Sequence, residues 1–349
     1  MGLALIQWFH YRKIFLSSLV FFLLTATVVP PPSSALDWVP TEEEIKKYRQ
    51  SWNPLSHGPM LLQSVEIQPK GQLSIREFLF SQIGESSFGN HLGGPTDSNN
   101  GPVHLYQVSP SINTAYGVTN HIEFDAAISM NSFWARKNGE STSSTGLGDT
   151  SLILKYRPII QDPGGWRPSF THYTQIVLPT SRWADAEKPP GGFSPLGRLP
   201  STRFGEYALT QGVMTRKILQ PIRISAAVFY TYAAPGESSG TTTYTGDLVN
   251  TRLIFEHIID DKTGFGYNIE LSTLHGLTWR ADGHEVNAGQ RNGFTIIGVE
   301  PALQWNLSQN WLVGVGCLFT VAGQNAVNAI YPNLSVFWYW DKSGKIVMR

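Results

Sequence analysis

The stretch GLGDTSLILKYRP at residues 146–158 combines residue types that could do chemistry. Two glycines and an aspartate are typical of a loop that binds phosphate through backbone N–H groups. Such a loop lies between a strand and a helix, because the helix N-terminus supplies the N–H groups. Here a predicted loop precedes the glycines and an alternating, strand-like stretch follows them. The sequence therefore favours a strand that begins at a bend over a nucleotide site.

Nucleophilic and metal-binding residues form no recognisable site. The histidines are scattered, and no pair has the spacing that would face one metal from one helix. The only cysteine, Cys317, excludes an internal disulfide and a cysteine-based zinc site. Ser98, in a predicted loop near His104, is a weak candidate for the nucleophile of a lipid hydrolase. We therefore expect no enzymatic activity, no metal and no cofactor, with a lipid-hydrolysing barrel as the alternative.

A set of charged residues lies on the polar face of stretches in which apolar and polar residues alternate. The set comprises Glu123, Asp125, Lys155, Arg157, Arg223, Arg252, Glu256, Glu270, Arg280 and Glu300. Inside a barrel these residues could form a hydrated path whose mixed charges select solutes. The other interpretation is that most of them neutralise one another in a narrow lumen and stabilise the wall. We expect the second role for most of them and keep the first as the candidate solute path.

The composition indicates the class of fold that positions these charges. Lys+Arg and Asp+Glu number 26 each, so no net charge attracts the chain to nucleic acid. Charged residues make up only 15% and aromatic residues 12%, with 33 glycines and 11 tryptophans among 349 residues. This mixture is typical of many strands joined by glycine-containing turns.

The N-terminal region predicts export from the cytosol. Residues 1–35 resemble a secretory signal peptide, with positive charge at 11–13, an apolar run at 14–29 and small residues at 33–35. An uncleaved membrane anchor is the alternative. Residues 36–62 form a periplasmic or plug segment, in which Thr41 and the three glutamates after it begin a short helix. We expect the barrel at 63–340 and a tail at 341–349.

Alternation with a period of two continues through the rest of the chain. In IEFDAAISM, at 122–130, apolar residues occupy every second position, and the alternating stretches run about 10 to 15 residues. Strands of this length can cross a bilayer when tilted. Within the opening stretch, Leu154 and Tyr156 are predicted to face lipid, with Lys155 and Arg157 facing the lumen. Ile153 interrupts the polar face.

The strands and their connections predict a transmembrane barrel. We count about twelve strands, near 72–82, 104–117, 121–134, 147–158, 168–179, 204–218, 221–235, 247–260, 264–280, 293–306, 311–322 and 328–340. Their connections alternate between very short turns and longer loops rich in Gly, Ser and Asn. Outer-membrane barrels have an even number of strands, with turns at the periplasmic rim and loops outside. Several tryptophans near strand ends fit aromatic rims. The predicted fold is an all-β, antiparallel outer-membrane barrel.

The motifs GLGDTSLILKYRP, IVLPT at 176–180 and PKGQLSIREFLF at 69–80 resemble those of a bacterial outer-membrane family. This family is labelled as putative proteins of the phenol meta-degradation pathway and is distantly related to fatty-acid-transporter barrels. The resemblance covers about residues 60–340. It implies a barrel that admits apolar or aromatic compounds. The end of this chain departs from the pattern, since FWYW is followed by DKSGKIVMR instead of ending at a terminal aromatic.

Together these features predict an outer-membrane channel or transporter for small, apolar or aromatic molecules. Its expected partners are outer-membrane lipid and a small solute, with no nucleic acid. The alternatives are the lipid hydrolase and a structural or adhesive barrel that binds partners through its long loops. The sequence leaves the substrate, the oligomeric state and the openness of the lumen undetermined.

Overall fold

The fold is known from a computed structural model, which describes residues 40–50, 58–96, 104–137, 140–162, 166–181, 207–238, 241–286, 292–308 and 310–340. Twelve long strands lie within these ranges: β1 Leu73–Phe88, β2 His104–Gly117, β3 Ile122–Lys137, β4 Thr150–Ile159, β5 Ser169–Leu178, β6 Ala208–Leu219, β7 Ile222–Ala233, β8 Leu248–Asp260, β9 Phe265–Thr278, β10 Asn292–Asn306, β11 Trp311–Gln324 and β12 Val327–Trp340. Six shorter strands in the described residues belong to the loops: Pro95–Thr96, Glu140–Leu147, Gly236–Ser238, Thr241–Tyr244, Arg280–Ala281 and His284–Glu285.

The long strands form a closed antiparallel ring. Each strand pairs with the next one along the chain, and β12 pairs with β1 in a register that sets Leu73 opposite Trp340 and Ile83 opposite Ile330. Closure leaves no long strand with an unpaired edge, as a lipid environment requires. The predicted class and strand number are confirmed. The largest difference is in β1, which was expected to end near residue 82 and continues to Phe88.

The two faces of the wall differ as the alternation predicts. Among the described residues, outward positions carry large apolar side chains that are about half exposed, such as Ile112, Ile128 and Leu253. Aromatic residues lie at both ends of this surface, with Tyr116 and Trp340 at one end and Tyr106, Trp134 and Phe319 at the other. An apolar band between aromatic rims is stable only against lipid. The protein is an outer-membrane barrel.

Short turns and longer connections lie at opposite ends of the ring. The connections after β2, β6, β8 and β10 are short, and these turns share one end with the start of β1 and the finish of β12. The opposite end carries most of the longer connections, although β11 and β12 are joined there by Asn325 and Ala326 alone. We call the two ends the turn end and the loop end. Most of residues 180–203, the predicted long loop, lie outside the described residues, as does the predicted tail at 341–349.

A single α-helix, α1 Glu42–Gln50, is present in the described part of the chain and confirms the predicted short helix. Its first turn carries three glutamates, which the partial positive charge of a helix N-terminus stabilises. Ile45 is buried against Ile160 and Ile218, close to the turn end, and Asn120 donates a 2.6 Å hydrogen bond to Glu42. Among the described residues, no helix is long and apolar enough to cross a membrane. The predicted signal peptide, 1–35, lies outside the described residues.

Candidate functional site

The inner wall gathers nearly all of the charged residues singled out in the sequence. Eight of them have exposures between 0% and 5%: Glu123, Asp125, Lys155, Arg157, Arg223, Glu256, Glu270 and Glu300. Arg252 is half-buried on the same inward face of β8. Arg280 lies apart, in the small strand that follows β9, and pairs with Glu285 at 3.7 Å with a side chain that is 40% exposed. Nine of the ten residues therefore face the interior.

One group of inward charges lies on β3 and β4. The Lys155 ammonium pairs with the carboxylate of Glu123 and lies 3.6 Å from that of Asp125. Arg157 pairs with Glu66, which precedes β1 and does not belong to the wall. The backbone N–H of Gln68 donates to Glu123. We call Glu123, Asp125, Lys155 and Arg157 the β3–β4 cluster. Three of its members, Glu123, Lys155 and Arg157, bind a segment that lies inside the barrel.

A second group connects wall strands to one another. Arg223 pairs with Glu256 at 2.7 Å, and Arg216 lies 3.6 Å from the other oxygen of that carboxylate. The Nε atom of Arg216 donates to Ser225 at 3.0 Å, and the Gln304 amide lies 3.4 Å from Glu256. We call Arg216, Arg223, Ser225, Glu256 and Gln304 the β6–β8 cluster. Its hydrogen bonds and ion pairs join β6, β7, β8 and β10.

Two carboxylates face each other across neighbouring strands. Glu270 on β9 is directly opposite Glu300 on β10. Each has its own donors, since Asn333 donates to Glu300 at 2.6 Å, whereas Glu270 accepts backbone N–H groups from Met60, Leu61 and Leu62. Hydrogen bonds to a charged acceptor are stronger than neutral ones, particularly where water is scarce. Glu270 therefore provides another strong attachment for residues that precede β1.

Residues 58–68, which we call the lumen segment, pass through the interior without regular secondary structure. Four of the segment's apolar side chains are buried, with exposures of 0% to 5%: Met60, Leu62, Val65 and Ile67. Leu62 and Val65 share a hydrophobic cluster with Ile153, Tyr173, Met214, Ala227 and Ile254 from the wall. This explains why Ile153 interrupts the polar face of β4, because it packs against the lumen segment. Leu154 and Tyr156, each 38% exposed, point outward as predicted.

Aromatic rings also lie on the inner wall. Phe80 stacks on Tyr331 with ring centroids 5.3 Å apart, and the Arg76 guanidinium lies 4.3 Å from the ring centroid of Phe78. Elsewhere on the wall, Tyr173 and Phe229 make an edge-to-face contact at 5.1 Å. The interior is therefore a mixture of buried ion pairs and aromatic surfaces.

Two inward arginines were missing from the sequence-based set. Arg76 donates to Ser335 at 2.8 Å and to the backbone oxygen of Met60, while Arg216 belongs to the β6–β8 cluster. Arg76 follows the small polar residue Ser74 by two positions, in SIREF, whereas Arg216 follows the apolar Met214 by two positions, in GVMTRKIL. The alternation around Arg76 was thus a usable signal. That around Arg216 was weaker, because Met214 is an inward apolar residue.

The glycine motif at 146–149 is a joint between strands. Gly148 and Asp149 separate the strand Glu140–Leu147 from β4, and both of these strands pair with β3. The carboxylate of Asp149 accepts the backbone N–H of Ser181 at 3.0 Å and its hydroxyl at 2.6 Å. A phosphate loop would need a helix after the glycines, and a strand stands there. Ser98, the candidate nucleophile, lies outside the described residues, while His104 begins β2.

Comparisons with known proteins agree with the architecture. The chain is similar to an outer membrane channel from Pseudomonas putida F1, with 12% identity and a TM-score of 0.61 over 79% of this chain and 98% of that one. It is also similar to the translocator domain of the autotransporter NalP from Neisseria meningitidis, with 10% identity and a TM-score of 0.44 over 78% and 90% of the two chains. A third similar structure is the CymD monoaromatic hydrocarbon channel, with 8% identity and a TM-score of 0.34 over 78% and 90%.

No family model matches the chain, and no curated protein matches it in sequence. The likeness to the Pseudomonas putida channel extends over nearly the whole of that protein and shows a shared fold. It is consistent with the closed ring and the apolar outer band described above. The function of the interior depends on this chain's own inward residues.

Proposed function

We propose that this protein is a channel that passes small apolar molecules, aromatic ones in particular, across the outer membrane without covalent chemistry. The observation that carries the proposal is the presence of aromatic rings on the inner wall, including Phe78, Phe80 and Tyr331. Aromatic rings on an inward face offer stacking surfaces to a ring-shaped solute, and such pairs contribute about 0.5–1.5 kcal/mol beyond burial.

Among the predicted solute-path residues, we assign solute contact first to Arg252 and Glu300. The Nη1 atom of Arg252 and the Oε2 atom of Glu300 are buried and have no hydrogen-bond partner in the part of the chain that the structure describes. The hydrogen bonds of these two residues go to Asn250 and Asn333, and neither residue belongs to the two charge clusters, so we assign the remaining atoms to a hydroxyl or carbonyl group on a solute. Glu123, Asp125, Lys155, Arg157, Arg223, Glu256 and Glu270 each bond to the lumen segment or to a charged residue on another strand. Arg280 lies beyond the wall, and we assign it to the entrance at the loop end.

The resemblance to the phenol meta-pathway family supports the same preference. It rests on the motifs at 69–80, 146–158 and 176–180, which the structure places at β1, β4 and the finish of β5. We propose that the chain is a distant relative of that family. Outer-membrane lipid surrounds it, and a small apolar solute is its transported partner.

Uptake into proteoliposomes tests the proposal. Purified full-length protein is inserted into liposomes whose outer leaflet is lipopolysaccharide, because toluene and cyclohexane cross a plain phospholipid bilayer unaided. Entry of toluene, cyclohexane and benzoate is compared with entry into the same liposomes without protein and with a heat-denatured sample. We expect faster entry of a neutral aromatic than of the charged benzoate, because the inward cations that the structure describes lie among carboxylates such as Glu123, Glu256 and Glu270. No increase for any solute, at an insertion level confirmed by heat-modifiable migration, would overturn the transport proposal.

A pair of variants tests the role of the rings. Phe80→Ala removes an inward ring, whereas Phe319→Ala removes one that faces lipid and is 43% exposed. We expect the first to lower toluene entry severalfold with little change for cyclohexane, and the second to leave both unchanged. Equal effects of the two variants would contradict a stacking role for the inner wall.

A further inference from the structure

We infer that the lumen segment is a closing element: it binds the inner wall through its backbone, and solutes pass only when it leaves that position. This inference rests on the proposed function, because a closing element has meaning only in a channel. It concerns residues 58–68, most of which lie beyond the segment at 36–62 that the sequence suggested as a plug.

The wall binds the backbone N–H groups of the segment with carboxylates. Glu270 accepts those of Met60, Leu61 and Leu62, the last two at 3.1 and 3.3 Å. At the other end of the segment, Glu123 accepts the N–H of Gln68. Several N–H groups converging on a carboxylate make a strong anchor, since each bond is charge-assisted. Backbone groups of an irregular segment would otherwise be buried without partners.

The wall also binds the backbone oxygens of the segment. Thr171 donates to the oxygen of Val65 at 2.6 Å, and Lys155 lies 3.4 Å from that of Ser64. Asn268 lies 3.4 Å from the oxygen of Gly58, and Arg76 donates to that of Met60. Residues of β1, β4, β5 and β9 thus hold the segment. Polar side chains that could face a solute instead bind a piece of the chain itself.

The anchors lie on opposite sides of the ring. Glu123 is on β3 and Glu270 on β9, and these strands lie six positions apart in a ring of twelve. Strands half a ring apart face each other across the lumen. The segment therefore crosses the interior from one side to the other, and its buried side chains fill the space between. A solute on a path through this level meets the segment.

The wall is shaped to admit the segment closely. A Cβ atom at Gly314 would lie 2.4 Å from the Met60 sulfur, and one at Gly117 would lie 2.6 Å from the Gln68 oxygen. Real Cβ atoms essentially never approach other atoms so closely, so a larger residue at Gly117 would push against the segment's backbone and one at Gly314 would force the Met60 side chain to move. The glycines therefore leave room on the inner face that the segment occupies.

The segment is held less firmly than the wall. The strands share continuous ladders of backbone hydrogen bonds, whereas the segment has no ladder and depends on individual side chains. Irregular parts with few mutual backbone bonds open at lower free energy than the strands around them. Water in an open lumen would solvate the carboxylates and ammonium groups that the segment leaves behind. The barrel can thus remain closed as a ring while the segment moves.

A reporter cysteine and two buried aspartates test the inference in the full-length protein. In a Cys317→Ser background, Ile67→Cys places a thiol at a position that is 5% exposed. Leu62→Asp together with Val65→Asp then places two charges in the buried cluster and should expel the segment. The matched control is Lys70→Asp, at an exposed position just after the segment. Heat-modifiable migration verifies that each barrel is folded.

We expect the double aspartate variant to raise the labelling rate by a membrane-impermeant maleimide at least tenfold and to raise toluene flux severalfold, with Lys70→Asp changing neither. An unchanged labelling rate in a folded barrel would overturn the inference. Faster labelling with a nonzero flux equal to that of the unmodified protein would overturn the closing role. Faster labelling with no flux in any variant would instead overturn the transport proposal, so the two failures are distinguishable.

Gly314→Leu provides a second route if the double variant does not fold. Its added side chain meets Met60 and displaces the segment from the wall side, without a new charge. The control is Val315→Leu, at the neighbouring outward position, which is 36% exposed. Faster reporter labelling and higher flux with Gly314→Leu alone support the inference. Identical behaviour of the two variants would overturn it.

Discussion

The β3–β4 cluster and the β6–β8 cluster both combine glutamate with arginine on the same face of the wall, yet their partners differ. In the first cluster, Glu123 and Arg157 bind the lumen segment. In the second, Arg223 and Glu256 form an ion pair between neighbouring strands. An inward charge can therefore hold the barrel together or hold a separate segment inside it. The role of an inward charged residue is therefore determined by its bonding partner and not by its position on the polar face.

The two clusters meet the lumen segment to different extents. The β6–β8 cluster approaches it closely at Gly58, where an added Cβ atom would lie 2.6 Å from the Arg216 guanidinium. By contrast, the β3–β4 cluster and Glu270 form direct hydrogen bonds or ion pairs with it. Changes in the β6–β8 cluster should therefore affect barrel stability, and changes in the β3–β4 cluster or at Glu270 should affect segment release.

Glu256→Ala should have the largest effect. It leaves Arg216 and Arg223 buried without their shared carboxylate, and breaking such an arrangement typically costs about 3–5 kcal/mol. We expect a loss of this size in the free energy of unfolding, measured by urea titration in detergent micelles. The control is Glu285→Ala, whose partner Arg280 is 40% exposed, for which about 0–1 kcal/mol is expected. Equal losses would contradict the structural role of the β6–β8 cluster.

Glu270→Ala should have the next largest effect, and it should act mainly on release of the lumen segment. It removes the charged acceptor of three segment N–H groups, and these groups return to water when the segment leaves the wall, while the strand ladders stay intact. We expect labelling of the Ile67→Cys reporter to rise at least tenfold, with a smaller loss of unfolding free energy than for Glu256→Ala. Glu270→Gln, which keeps one carbonyl oxygen, should give an intermediate rate. If Glu256→Ala released the segment as readily, the distinction between the clusters would be wrong.

Glu77→Leu extends the comparison to the outer wall. Glu77 points outward from β1, directly opposite Ile112 and Val336, and forms no hydrogen bond or ion pair with the described residues. A carboxylate on the lipid-facing side is destabilising, so its replacement should raise the unfolding free energy by about 1–2 kcal/mol. The same urea titration measures the change. A loss of stability would show that Glu77 has a partner in the membrane.

Ile153→Val should have the smallest effect. Ile153 is 2% exposed and packs with Leu62 and Val65 of the lumen segment, and removing one methylene from such a site costs about 0.5–1.5 kcal/mol. We expect reporter labelling to rise a few fold. Leu154→Val, on the lipid-facing side of the same strand, is the control and should leave the labelling rate unchanged. Equal rates in both variants would mean that this contact does not hold the segment.

Much of the wall could be predicted from the sequence, because a strand between lipid and lumen imposes alternation on every residue it contains. The predicted range for β2, 104–117, is the observed one, and most other ends differ by a few residues. The small differences between predicted and observed strand ends occur where the chain leaves the bilayer. Phe88 continues β1 beyond its expected end, since the ladder with β12 extends past the apolar band.

The path of the lumen segment could not be predicted, for a physical reason. Its bonds join residues that are far apart in the chain, such as Leu62 and Glu270, and its irregular backbone has no repeating pattern. The one local signal was Ile153, an apolar residue on a polar face. It indicated an apolar contact inside the barrel but not which residues make that contact. The partners of the inward charges were hidden for the same reason.

Single-channel recording in planar bilayers tests the central claim most directly, that this barrel is a channel whose interior is closed by residues 58–68. Full-length protein is compared with its Leu62→Asp/Val65→Asp variant at equal insertion and the same voltage. The account predicts rare, brief openings for the unmodified protein and long-lived openings of the same unit conductance for the variant. Indistinguishable records, or no conductance from a folded and inserted variant, would contradict it.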